Sequence, residues 1–213
     1  MATWNEMIND VLVRMREDEV TTLDDDYAYM VSRFVQDATV QVEEAWNWSA
    51  LLTEQTIATV ASQYDYSLTD AGQRVIIDGV FTSTGSFLSE IPRRDMLVKV
   101  NQSTVASGTP VQYAMNGVDS NGDAVMRVYP VPSSVENLVL SYYKKTPYFT
   151  SLTDATPIPK YPIVLLALAF TARERGEVGG STAAEYFELA KRSLSDAIAY
   201  DSGRNQDETV WYS

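Results

Sequence analysis

The residues that could carry chemistry in this chain are defined first by two absences. Its 213 residues include no histidine and no cysteine. Zinc sites, thiol chemistry and any serine or cysteine nucleophile assisted by histidine are therefore excluded. What survives for catalysis is a carboxylate pair, a lysine or a tyrosine. Acids are plentiful, with Glu43, Glu44, Asp65 and Asp78 as examples. A glycosidase needs two carboxylates held about 5–10 Å apart across a cleft, and no spacing here specifies such a pair. The residue types argue against an enzyme, and no motif asks for a cofactor.

Two acidic clusters suggest cation binding and read better as backbone chemistry. Asp119, Asn121 and Asp123 match the first three alternate ligands of a calcium loop. Ala124 then stands where the glycine belongs, and Pro130 where the bidentate glutamate belongs. Asn121 followed by Gly122 between two alternating runs is instead a hairpin turn. Asp24, Asp25 and Asp26 sit where a helix N-terminus favours negative charge, so capping accounts for them. Arg93 with Arg94 and Lys144 with Lys145 are the paired bases. They could touch DNA phosphates or the carboxylates of a neighbouring subunit, and solvation or an intersubunit contact fits a formal charge of −13 better. That charge repels nucleic acid and anionic membrane alike. Asn47 and Asn101 begin sequon-like triplets that mean nothing without a secretory route.

The elements that must position these residues begin with helices. Thr3 and Glu6 form a capping-box pair, and Trp4, Met7, Ile8, Val11, Leu12 and Met15 follow on one helical face. A second helix carries Tyr27, Met30, Val31, Phe34, Ala38, Val42, Ala45 and Trp46 as its expected stripe. From there the period changes from 3.6 to two. Residues 53–62, 63–68, 74–83, 96–101 and 111–115 read as strands, with Gly79 a bulge or bend. Residues 125–147 read as two more strands joined by a turn, with Pro130 and Pro132 forcing the chain out of the sheet. After an acidic loop, Pro162 stands at the expected first position of a helix that is apolar on nearly every side. Arg173 and Arg175 favour its end and Gly176 closes it. Thr182 and Glu185 open a last helix, with Phe187, Ala190, Leu194, Ala197 and Ile198 on one face. No secretory signal leads the chain, and its longest apolar run, residues 162–172, is short of the ~20 a membrane helix needs.

The expected fold is α+β, a discontinuous helical bundle with an inserted antiparallel β-sandwich or barrel. Residues 1–50 and 147–202 make the bundle, 51–146 the β domain, and 203–213 a C-terminal extension. A strand ending Tyr129, Pro130, Val131, Pro132, a turn, and a strand ending Tyr142, Tyr143, Lys144, Lys145, Thr146, Pro147 come in sequence. An acidic loop, Ile158 with Pro159 and the apolar helix follow. This order, over residues 46 to about 201, resembles the head-to-tail adaptor (connector) proteins of tailed phages, especially short-tailed ones.

The resemblance implies a structural virion protein at the head–tail junction, assembled in the host cytoplasm. It implies a ring of twelve copies docked beneath the portal, joined to a tail nozzle or tail-tube protein and leaving a channel for DNA. A C-terminal extension reaching into the portal is implied too. Val210, Trp211 and Tyr212 sit together there and are the expected portal anchor, with folding back onto the subunit's own helices as the other outcome. Composition agrees with a conduit through which DNA passes without specific binding. A different class of function is a glycan- or receptor-binding tail or baseplate module, which requires an exposed aromatic cluster such as Tyr64, Tyr66 and Phe87.

Overall fold

The computed structural model describes residues 1–174 and 181–203, with Ser181 and Thr182 described by backbone alone. In chain order its elements are β1 (Ala2–Thr3), α1 (Trp4–Arg14), α2 (Asp26–Glu44), β2 (Leu52–Ala58), β3 (Asp65–Ser67), β4 (Ile76–Thr82) and β5 (Ser89–Glu90). Then come α3 (Arg93–Val100), β6 (Gln112–Val118), β7 (Ala124–Tyr129), β8 (Asn137–Tyr143), β9 (Ala155–Thr156), α4 (Lys160–Glu174) and α5 (Ser181–Ser202). The chain divides into two compact units, Met1–Leu51 with Thr146–Ser213, and Leu52–Lys145. The fold is α+β: a helical part with an inserted β part whose described strands form no closed barrel.

In the helical unit α4 packs against α1, α2 and α5. The capping box forms as expected: Glu6 N donates to Thr3 Oγ1 and Thr3 N donates to the Glu6 carboxylate. The expected face of α1, from Trp4 to Met15, is buried. A small ribbon that the sequence did not announce pairs β1 antiparallel to β9, next to this cap.

The stripe of α2 is displaced from its expected position. Its buried face runs through Ala28, Val31, Val35, Ala38 and Val42, and includes the polar Ser32, Gln36, Thr39 and Glu43. Tyr27, Met30, Phe34 and Trp46 are only half-buried, and Ala45 is exposed. Polar residues can occupy this face because they find hydrogen-bond partners, both within the helix and across the unit. Thr39 Oγ1 donates to Val35 O at 2.8 Å, and Gln36 Oε1 accepts from Phe149 N at 2.9 Å. An apolar-only template cannot see such positions.

Helix α4 begins two residues before Pro162, which therefore lies inside the first turn rather than at its first position. Proline is tolerated there because first-turn N–H groups have no intrahelical acceptor. Leu165 and Leu168 are buried as expected. Gly176 and Arg175, assigned to the helix end, lie outside the described residues.

The β unit has two sheets, ordered β2-β8-β4 and β3-β7-β6-β5. Apolar residues from both, including Met126 and Val128 of one and Leu138 and Leu140 of the other, form one buried core. Strands β6 and β7 make the hairpin around Asn121 and Gly122, whose φ is +87°. A bulge interrupts β4 between Ile77 and Gly79, as expected.

Two expectations fail in this unit. The strands of residues 125–147 are not partners: β7 pairs with β3 and β6, whereas β8 pairs with β2 and β4. Pro130 and Pro132 donate no backbone hydrogen bond, so the chain leaves one sheet there and enters the other at Asn137. Thr59, fully buried, ties down the crossing: its Oγ1 accepts from Glu136 N and donates to Ser134 O. Residues 96–101 are not a strand but most of α3. Pro92 stands at its N-cap, the run is rich in arginine, methionine, leucine and lysine, and only Met96 is buried. The alternation of Met96, Val98 and Val100 is misleading, since Val98 is 62% exposed.

Candidate assembly surfaces

In the β unit the basic pairs occupy separate elements. Arg93 and Arg94 open α3, which packs on β6 and β7, while Lys144 and Lys145 follow β8 of the other sheet. Arg94 is 92% exposed and rests 3.8 Å from Asp95, so its charge is available to a partner. Arg93 Nε donates to Asn116 Oδ1 at 3.1 Å, which fixes the head of that side chain. Lys144 and Lys145 are half-buried.

Asn116 leads to the strongest polar contact of the unit. Its Nδ2 reaches the carboxylate of Asp65 at 3.4 Å. Asp65 accepts two bonds from Arg127, Nε and the terminal nitrogen each at 2.6 Å, in the planar fork that arginine presents to a carboxylate. The Arg127 guanidinium lies 4.6 Å from the Tyr64 ring centre. The bonds from Asp65 hold the guanidinium pKa above its usual value, against the opposing effect of burial. Nothing local in the sequence marks this pair, because the partners are 62 positions apart.

The acidic clusters satisfy backbone. Asp119 Oδ1 accepts from Asn121 N and Asp123 N, and Asp123 accepts from Asp70 N and Gly72 N. Donation from Asp123 N first, then from a Ser67 side chain, lowers the Asp119 pKa below the carboxylate range. Asp25 accepts from Ala28 N at 2.8 Å and caps α2. Asp78 accepts from Ser141 Oγ at 3.2 Å. Among the described residues no group of three or more acids is placed to hold a metal ion.

The aromatic cluster needed for a glycan module does not assemble as expected. Tyr66 is 5% exposed, with its hydroxyl donating to Gln63 O and accepting from Val60 N. Burial pushes its pKa up. Tyr64 lies against Arg127, and Phe87, although exposed, packs on Phe81 with the rings tilted by 50° and their centres 4.2 Å apart.

In the helical unit the surface is organised around the end of α5. Asp201 is buried and accepts from Ser49 N, Ser49 Oγ and Trp46 Nε1, so the last turn is tied to the segment after α2. Trp48, also buried, donates from Nε1 to Val42 O at 2.8 Å. Beside this lock lies a groove of about 500 Å³. Trp48 and Pro162 contribute to it from buried positions, and Tyr161 and Tyr200, both more than half exposed, stand at its sides. Neither feature was expected; Asp201 and Ser49 are 152 positions apart, and no local pattern connects them. A second, shallower groove of about 290 Å³ lies along Phe34, Phe170 and Tyr148. Val210, Trp211 and Tyr212 lie outside the described residues.

No described helix is long and apolar enough to cross a membrane. No curated protein matches the chain. A family does: residues 2–212, nearly the whole length and both units, match the SU10 adaptor protein family. The order of elements, the two proline-punctuated strands and the apolar α4 that suggested a phage adaptor are thus accounted for, and the chain belongs to the SU10 adaptor protein family.

Proposed function

We propose that this protein forms a ring that docks on the portal, links it to a tail nozzle or tail-tube protein, and leaves a channel for the genome. The observation that carries this reading is family membership across residues 2–212. Composition supports it. A chain with 29 acids, 16 bases and no histidine gives passing DNA little to adhere to. Identical subunits packed head to tail make heterologous interfaces, which close into a ring when the rotation allows. Twelve copies is the number implied by the adaptor resemblance.

Within that reading, Val210, Trp211 and Tyr212 anchor the subunit on the portal. Arg93, Arg94, Lys144 and Lys145 meet carboxylates of neighbouring subunits, and the Arg94 side chain is 92% exposed. The protein acts by assembly, in the virion, and carries out no catalysis. The test is to purify it alone and with portal protein and to measure particle mass and ring symmetry by negative-stain imaging. A ring on the portal, lost when residues 204–213 are deleted while circular dichroism is unchanged, is the expected result. Portal binding of unchanged affinity without those residues removes the anchor assignment. Micromolar, salt-sensitive retention of duplex DNA by the purified protein overturns the passive channel.

A further inference from the structure

We propose that the groove between Tyr161 and Tyr200 is the seat for this chain's own Val210, Trp211 and Tyr212, which cover it in the unassembled subunit. The groove lies beside the point from which the segment departs. Tyr200 and Asp201 line it, and Gly203 follows within one helical turn. The departure point is fixed, because Asp201 is held by Ser49 and Trp46. Residues 204–209 supply six positions before the apolar trio, an extended reach of about 20 Å, enough to turn back onto the helix they leave.

Chemistry matches as well as reach. The groove offers tyrosine rings, Pro157, Pro162 and Ala197 to a trio made of one aliphatic and two aromatic residues. Asp207 and Glu208 precede the trio, with Thr209 between. The Arg14 guanidinium lies 5.7 Å from the Tyr161 ring centre, and the charged groups of the lining itself are the carboxylates of Asp196 and Asp201. Six polar or charged residues followed by a compact apolar cluster is the pattern of a short linker with a docking tip. Covering that tip keeps a tryptophan and a tyrosine out of water until a partner replaces the groove. The inference stands apart from portal docking, since it concerns the free subunit.

The experiment uses the full chain labelled with 5-fluorotryptophan and observed by fluorine NMR. The Trp211 resonance is assigned by its disappearance in Trp211→Phe. The expected spectrum places it away from the solvent-exposed position at every protein concentration. Tyr161→Ser with Tyr200→Ser is expected to return it there while circular dichroism stays unchanged; both side chains are more than half exposed, so their removal gives up little burial. A Trp211 resonance already at the solvent position overturns the proposal, and so does a displaced one that ignores the double substitution. Displacement that grows with concentration overturns it too, by assigning the groove to a second copy.

Discussion

In the helical unit, nine of the fifteen residues of α4 are buried, and eight of the nine are apolar. In the β unit the equivalent burial is divided between two sheets, and long-range polar bonds hold the segments in place. Asp65 grips Arg127, Asp123 takes the N–H groups of Asp70 and Gly72, and Thr59 pins the segment after the prolines. The difference reflects what each architecture must specify. A helix satisfies its own backbone, so a central helix needs mainly apolar contact on all sides. A strand needs a particular neighbour in a particular register, and a slip of one residue exchanges its faces. The first unit is centred on one apolar helix, with the distant polar ties of Asp201 and Gln36 at its margins, whereas the second sets its distant polar contacts between the strands and turns themselves.

The largest effect expected from this contrast is in α4. Leu168 is 2% exposed, so Leu168→Ala should cost about 2–5 kcal/mol through lost burial and the cavity left behind. Denaturant unfolding with an unchanged slope measures it. A cost below about 1 kcal/mol breaks the comparison, because α4 would then not be the packing centre of its unit.

A smaller effect is expected at the polar pin. Asp65→Ala strands the Arg127 guanidinium, whose side chain is only 12% exposed, and should cost about 1–3 kcal/mol. Arg127→Met added to Asp65→Ala should recover part of that loss, since it removes the unpaired charge. The same unfolding measurement reads both. If the single substitution costs under about 0.5 kcal/mol, or the double one costs as much as the two separately, register in this unit rests on the core alone.

The same contrast explains what could be read from the sequence. The capping box at Thr3, the face of α1, the burial of α4 and the turn at Gly122 are local signals, complete within a few residues, and all four are in the structure. The paired strands of residues 125–147 misled because alternation reveals a strand and not its neighbour. The prolines were correctly read as an exit from the sheet, but the exit leads to a different sheet. Residues 96–101 misled because alternation in a short run fits a helix as well, and Pro92 decided between them. The groove and the Asp201 lock join segments far apart in sequence and had no local signature.

The smallest expected effect lies on the helix beside α4. Helix α5 packs on α4, yet Ala190 is its single buried apolar residue among those described, and Leu194, Ala197 and Ile198 are half-buried. Leu189 is adjacent to Ala190 in the chain and lies about 100° away around the helix, at 48% exposure. A side chain that already has half its surface in water has little burial to lose and leaves no enclosed cavity when shortened. Serine is also a poorer helix former than leucine by only a few tenths of a kcal/mol. Leu189→Ser should therefore change unfolding free energy by no more than about 0.5 kcal/mol in the isolated subunit. Set beside Leu168→Ala, this tests whether apolar packing in the helical unit is concentrated on α4 or shared across the pair. A cost above about 1 kcal/mol would show that α5 contributes its outer face to the same core, and the sharp ranking of the two helices would have to be given up.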